Sequence, residues 1–128
     1  MEYRVLITSF AERHYIKSFE KKYKSAWNRT RDIIIQEFEQ IDILFLKNTA
    51  ETIIDHADIK ICKTEFKIAG TNESRKSSGN RCIVAIHKDT NMVYVLLVYT
   101  KTDVQGHHET NWWKGVIREN YSEYRDVV

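Results

Sequence analysis

Proline is absent from the 128 residues and glycine occurs only four times. Nothing therefore removes a backbone donor by ring closure, and few positions have free backbone, so most of the chain is available to helices and strands. Collagen-like and proline-rich linker compositions are excluded. Long apolar runs are missing too. The longest, Met92 to Tyr99, has about eight residues, far short of the roughly 20 that a membrane helix needs. The two cysteines, Cys62 and Cys82, have no short metal-type spacing. The opening "MEYRVLITSF" starts acidic and reaches Arg4 at once, unlike an export signal. A cytoplasmic location with reduced, buried thiols is the expectation.

What is present is an ordinary globular composition, 42% hydrophobic and 30% charged, which excludes a disordered chain. The length suits one domain, residues 1–128. The net charge of +2 says little, but its distribution says more. Between Lys60 and Asp89 the bases are Lys60, Lys63, Lys67, Arg75, Lys76, Arg81 and Lys88, against Glu65, Glu73 and Asp89. This basic middle reads either as a solvated surface or as a patch for a polyanion.

The periodicities predict the order βααβββα. Residues 2–8 have a β-type mix, and Thr8-Ser9 can cap a helix. Phe10, Tyr15, Phe19 and Tyr23 form a rough helical stripe. After a turn near Lys24, with Ser25 as cap, Trp27, Ile34, Phe38, Ile41 and Phe45 mark an amphipathic face. Together they make a helical hairpin. Residues 46–58, "LKNTAETIIDHAD", have no clear period and read as a short helix or an irregular crossing. The period then becomes two. In "KICKTEFKIA", Cys62, Thr64, Phe66 and Ile68 alternate with Lys63, Glu65 and Lys67. "RCIVAIH" and "MVYVLLVYTK" follow as strands, the latter apolar on both faces and so central. "ETNWWKGVIRENY" closes the chain as a helix with Trp112 and Val116, and also Trp113 and Ile117, as candidates for the inner face. The fold class is α+β: a small twisted, mainly antiparallel sheet, an N-terminal helical hairpin packed on one face, and a C-terminal helix.

Lys63 and Lys67 project from one strand face, and antiparallel pairing lets Arg81 join them, with Arg75 and Lys76 in the loop between. A packed core would not tolerate these cations, so the face should be open or bind an anion. Phosphodiesters fit, because arginine donates paired hydrogen bonds to phosphate and lysine supplies a point charge. Downstream lies "TKTDVQGHHETNWWKG". A zinc site from Asp103, His107, His108 and Glu109 is disfavoured, since adjacent histidines seldom both reach one ion. No metal and no cofactor is expected. Asp103 is placed to orient a histidine or to pair with Lys101, and Glu109 suits a helix N-terminus.

The segments "EFKIAG", "SRKSSGNRCIVAI" and "NMVYVLLVYTK", in this order and spacing, resemble the RelE/ParE toxin superfamily, and within it the RelE and HigB type of mRNA-cleaving toxin. The resemblance is strong over residues 60–104. "YRVLITSFAERHYIKSF" fits the family's first strand and helix, whereas residues 41–59 look additional. It implies a toxin of a type II toxin–antitoxin pair that cuts mRNA on the ribosome without metal. A cognate antitoxin, a helix-turn-helix DNA-binding protein in the usual arrangement, would silence it. The family's basic strand pair corresponds to Lys63 and Lys67, or in a shifted register to Lys67 alone. The arginine after the glycine corresponds to Arg81, and the lysine closing the hydrophobic strand to Lys101. Thr102 stands where the RelE type often has an arginine, and a gap-free count puts His108 where it has a catalytic tyrosine. HigB-type members use a histidine near this end, so His107 and His108 are both candidates.

The implied chemistry uses the RNA 2′-hydroxyl as nucleophile, with His108 or His107 as acid or base and Arg81, Lys67 and Lys101 countering charge. Lys63, Arg75, Lys76 and Lys88 are the candidate RNA-binding residues. Two other readings stay open: a ParE-like inhibitor of DNA gyrase that cuts nothing, and a catalytically inactive nucleic-acid-binding regulatory domain.

Overall fold

The computed structural model describes residues 2–104, 106 and 108–128. Strand β1 (Arg4–Ile7) leads into a helical path made of α1 (Ser9–Ala11), a π-type turn (Glu12–Ile16) and α2 (Lys17–Tyr23). Thr8 starts it as the sequence predicts: its hydroxyl accepts a 3.2 Å hydrogen bond from the Ala11 N–H, satisfying one of the orphan donors of the first turn. The reversal to α3 (Ser25–Glu39) is made at Lys24, at φ 53°. Lys24 is the cap position there and Ser25 the first helical residue.

Helix α3 buries Trp27, Thr30, Ile34 and Phe38, one stripe at helical spacing. It does not run on to Phe45. Gln40 leaves helical geometry, at φ −119°, and a separate short helix α4 (Ile41–Leu46) follows. Residues 46–58 are neither a short helix nor an irregular crossing for most of their length. They supply strand β2 (Ala50–His56), so the order gains a strand.

Strands β3 (Ile59–Phe66), β4 (Asn80–His87) and β5 (Met92–Thr100) complete a five-stranded mixed sheet in the order β1-β5-β4-β3-β2. β1 runs parallel to β5 and the other pairs are antiparallel. The chain is thus α+β with a mainly antiparallel sheet. Strand β5 lies inside the sheet, between β1 and β4, as its two-sided apolarity predicts.

Alternation sorts the strands into two cores. Cys62, Phe66, Cys82, Val84, Val93, Val95 and Val98 pack against the helical hairpin. Ile61, Ile83, Ala85, Leu96, Leu97 and Tyr99 face the other way, under helix α5 (Glu109–Asn120). The pairing of β4 with β5 shifts between Ile83 and Val84. Leu96 is the extra residue, so Leu96 and Leu97 both serve the α5 side. A one-residue bulge of this kind exchanges the faces of everything beyond it, and here it puts Tyr99 on the α5 side.

The sheet is therefore covered on both faces, which corrects the expectation of one open basic face. In α5, Trp113 and Ile117 are fully buried, while Trp112 and Val116 are only partly buried. Burying a large apolar side chain is worth about 1.5–3 kcal/mol, so these two residues alone hold the helix firmly. Past α5, Tyr121 donates a 2.5 Å hydrogen bond to the Leu96 carbonyl, and its oxygen lies 2.7 Å from the Thr8 hydroxyl. Tyr124 meets His87 Nε2 at 2.7 Å. Among the described residues no helix is long and apolar enough to cross a membrane.

Candidate active site

Three residues form one row across the sheet on the α5 side. Glu65 on β3 pairs in register with Arg81 on β4, and Arg81 with Tyr99 on β5. Cross-strand partners have their side chains about 5 Å apart at the β-carbon, so the row is built into the pairing. Glu109, the first residue of α5, comes down on it from above.

Arg81 is only 4% exposed. Its Nη1 donates a 3.1 Å hydrogen bond to the Asn80 carbonyl and lies 3.7 Å from Glu65 Oε2. Its Nε is 3.9 Å from Glu109 Oε2. The two carboxylate contacts are ion pairs at a distance too long for hydrogen bonds. Arg81 Nε and Glu65 Oε2 accordingly have no hydrogen-bond partner among the described residues. Burying a guanidinium costs several kcal/mol unless opposite charge compensates it, and these two carboxylates are that compensation.

Glu109 Oε2 gathers more than Arg81. Lys63 Nζ is 3.9 Å from it and 3.9 Å from Glu51 Oε2 on the edge strand β2. Tyr99 donates a 2.8 Å hydrogen bond to the same oxygen. Burial, with Glu109 beside it, holds the Tyr99 phenol above its ordinary pKa, so Tyr99 remains a neutral donor. Trp112 flanks the cluster, its ring 5.0 Å from that of Tyr99. One carboxylate oxygen thus faces a guanidinium, an ammonium and a phenol O–H.

The physical demand read from the sequence, that these cations face solvent or an anion, is met by the chain's own acids. Glu109, Glu51 and Tyr99 were not among the expected site residues. The one signal for Glu109 was its place at a helix start, which accounts for an acid there without saying where its carboxylate points. Tyr99 needed the Leu96 bulge to be known.

The other expected residues are dispersed. Lys67 is exposed beyond the end of β3 and lines a small cleft with Thr30, Ile34 and Ala69, toward the helical hairpin. Arg75 is engaged in holding its loop: Nη1 donates to the Glu65 carbonyl at 2.9 Å and Nη2 pairs with Glu37 on α3. Lys76 is exposed beside the same loop. Lys88 sits past the far end of β4, hydrogen-bonded to Asp55 at 2.7 Å, seven residues or about 23 Å along the strand from Arg81 at ~3.3 Å per residue.

Lys101 is exposed, in a 3-10 turn directly after β5. Its N–H donates to the Gly79 carbonyl at 3.0 Å, which ties it to the turn that starts β4. Gly79 is at φ 78°, backbone that favours glycine. Asp103 accepts a 2.9 Å hydrogen bond from the Thr100 N–H, so it holds this turn instead of pairing with Lys101. His108 is exposed, at the cap position of α5, one residue before Glu109, and its side chain makes no capping hydrogen bond. His107 lies outside the described residues. Among the described residues no group of three or more His, Cys, Asp or Glu is arranged to hold a metal ion.

No protein-family model matches the chain. No curated protein matches it either. Among solved structures it is similar to a chain of the crystal structure of the archaeal RelE–RelB complex from Pyrococcus horikoshii OT3, with 14% sequence identity and a TM-score of 0.48, covering 84% of this chain and 100% of that one. A likeness at that level decides nothing about the site.

Proposed function

We propose that this chain, as a single RelE-like domain over residues 1–128, is the toxin of a type II toxin–antitoxin pair. Its activity is metal-independent cleavage of mRNA, on the ribosome, in the cytoplasm. Its partners are the mRNA, the ribosome and a cognate helix-turn-helix antitoxin. The observation that carries the reading is the convergence of Arg81, Lys63 and Tyr99 on one anionic oxygen, next to His108 in the chain. This is a preformed site for concentrated negative charge, and Arg81, Lys63 and Tyr99 lie within residues 60–104, the part of the chain that resembles the RelE and HigB toxins.

In the reaction, a base removes the 2′-hydroxyl proton and the 2′-oxygen attacks the adjacent phosphorus. The bond from phosphorus to the 5′-oxygen breaks, and an acid protonates that oxygen as it leaves. The ends are a 2′,3′-cyclic phosphate and a 5′-hydroxyl. Arg81 counters the charge that builds on the phosphorane, with Lys63 beside it and Lys101 at the adjoining turn; Lys67, on the hairpin side, is left out of this step. His108, or His107, supplies the proton transfer.

Primer extension on cellular mRNA after brief induction tests this. Cuts inside translated codons, with a 5′-hydroxyl at the new end, are expected. Growth arrest with intact mRNA would overturn it. One observation favours a second reading, the ParE-like inhibitor of DNA gyrase: Arg81 is buried and its charge is already balanced within the chain. Arrest accompanied by gyrase-linked DNA breaks and uncut mRNA would put that reading in place of the first.

A further inference from the structure

Arg81 is buried, cationic and incompletely satisfied. Among the described residues only Nη1 has a hydrogen-bond partner, the Asn80 carbonyl, and Nε has none although Glu109 Oε2 stands 3.9 Å away. Lys63 approaches the same oxygen no closer than 3.9 Å. A carboxylate suited to this pocket would sit at about 2.8 Å from its cationic donors, the usual charge-assisted distance. Only the Tyr99 bond, at 2.8 Å, has that length. Glu109 therefore neutralises the pocket without filling its donors.

A phosphate group differs in two ways that matter here. It has more acceptor oxygens than a carboxylate, spread tetrahedrally, so it can satisfy a guanidinium, an ammonium and a phenol together. It is also not tethered to a helix whose position is set by Trp113 and Ile117. The Glu109 side chain itself is 24% exposed. Rotation about its own side-chain bonds is enough to carry the carboxylate to solvent, with α5 left in place.

We propose that Glu109 is a built-in competitor: its carboxylate occupies a phosphate site formed by Arg81, Lys63 and Tyr99, and an RNA phosphate must turn it out before the site can work. As applied to RNA, this rests on the nuclease reading above; the anion site itself does not. Glu109 would then set a threshold. Isolated phosphates fail to displace it, while a strand held by further contacts succeeds, because the carboxylate is in effect an intramolecular ligand at high local concentration.

The test is calorimetric titration of the full chain with inorganic phosphate at constant ionic strength, alongside Glu109→Gln. Gln keeps an acceptor for Tyr99 and removes the competing charge. Phosphate is expected to bind Glu109→Gln roughly ten- to a hundred-fold more tightly than the parent, and the gain should vanish in Glu109→Gln/Arg81→Gln. Equal or weaker binding by Glu109→Gln overturns the proposal. Should Glu109→Gln not fold, as judged by its thermal transition, Glu109→Asp is measured instead. Its shorter side chain withdraws the carboxylate, and a smaller gain of the same sign is expected, with no gain counting against the proposal.

mRNA cleavage by the same variants separates the two ideas. A gain in phosphate affinity without mRNA cleavage by any variant removes the nuclease reading and leaves the anion site. Cleavage by the parent with no gain in affinity removes the competitor and leaves the nuclease. Loss of cleavage in Glu109→Gln without tighter phosphate binding would make Glu109 a catalytic group, and that too overturns the proposal.

Discussion

Tyr99, at the end of β5, donates a 2.8 Å hydrogen bond to Glu109, the first residue of α5. This one contact joins the sheet to the start of the helix that covers it. It also fixes the carboxylate that balances Arg81 and Lys63. The two residues stand ten apart, and the residues between them include Lys101, His107 and His108, so the bond ties together the two ends of the segment that carries these candidates.

Tyr99→Phe should destabilise the fold, because it leaves the ring in place and removes only the donor. A hydrogen bond to a charged group contributes about 1.5–3 kcal/mol. The partial exposure of Glu109 puts the expected loss at the lower end of that range, since water can replace the phenol. Urea unfolding of the two proteins measures it, and an unchanged midpoint would mean that Glu109 needs no anchor. The same variant should weaken phosphate binding in a Glu109→Gln background, because Tyr99 is then a donor to the ligand.

Arg81→Ala, the obvious way to silence the proposed nuclease, should also damage the fold. The sequence alone reads Arg81 as a cation on an open face, where truncation is harmless. In the structure its removal leaves Glu65 Oε2 buried with its cation gone; breaking a buried pair costs about 3–5 kcal/mol, and the 29% exposure of the Glu65 side chain puts the expected loss at or below the lower end of that range. Arg81→Lys keeps the charge and loses the planar fork. It should retain most of the stability and lose most of the cleavage. Denaturant midpoints for both variants, with mRNA cleavage for Arg81→Lys, check this. Full cleavage by Arg81→Lys would mean that only charge is needed at this position.

That contrast marks what was legible in the sequence. Strand β3 announces itself because buried and part-exposed side chains alternate from Cys62 to Phe66, and β4 reads as a strand from its short apolar run, although it is buried on both faces. The side of the sheet on which Lys63, Glu65 and Arg81 stand follows directly. Strand β2 was not legible, since "AETIIDH" is an edge strand, paired on one side only and interrupted at Ile53 by a shift in register. It has little burial to impose alternation. The bulge at Leu96 was hidden for the opposite reason: in "MVYVLLVY" every residue is apolar, so an inserted residue changes nothing visible. Tyr99 changes face because of it. The second partner of Arg81, Glu109, was beyond reach because it comes from another element, α5, and nothing local encodes which sheet row a helix terminus will meet.

Both thiols should be inert in the folded protein. Cys62 and Cys82 are fully buried against the helical hairpin. Burial pushes the Cys62 thiol up to about 12 and raises Cys82 as well, so neither forms thiolate near neutral pH. Burial likewise pushes the Tyr121 phenol up to about 12. A pKa raised on folding stabilises the fold fully below the unfolded value and loses that contribution as pH rises through the folded one. Stability should therefore hold up to about pH 9 and fall between about pH 9 and 12, the span from the ordinary thiol value to the folded values. Denaturant midpoints against pH measure the fall. A thiol-specific chromogenic reagent at pH 8 should label neither cysteine until the chain unfolds, and rapid labelling of the native protein would contradict the burial.

His108 offers the cleanest separation of chemistry from structure. It is exposed, precedes the helix, and caps nothing with its side chain. A surface substitution of this kind usually changes stability by less than about 0.5 kcal/mol. Loss of a positioned proton-transfer group costs about a hundred- to ten-thousand-fold in rate. His108→Gln should therefore unfold at the parent's denaturant midpoint and cleave far more slowly. The pH–rate profile of what remains should lose one limb relative to the parent. His107→Gln, measured beside it, assigns the role between the neighbours. Full cleavage by His108→Gln together with a slow His107→Gln would transfer the role to His107. Full cleavage by both would remove the two histidines from the reaction, whereas no cleavage by the parent would leave Arg81, Lys63 and Tyr99 as a binding site, as expected of a chain that holds a nucleic acid without cutting it.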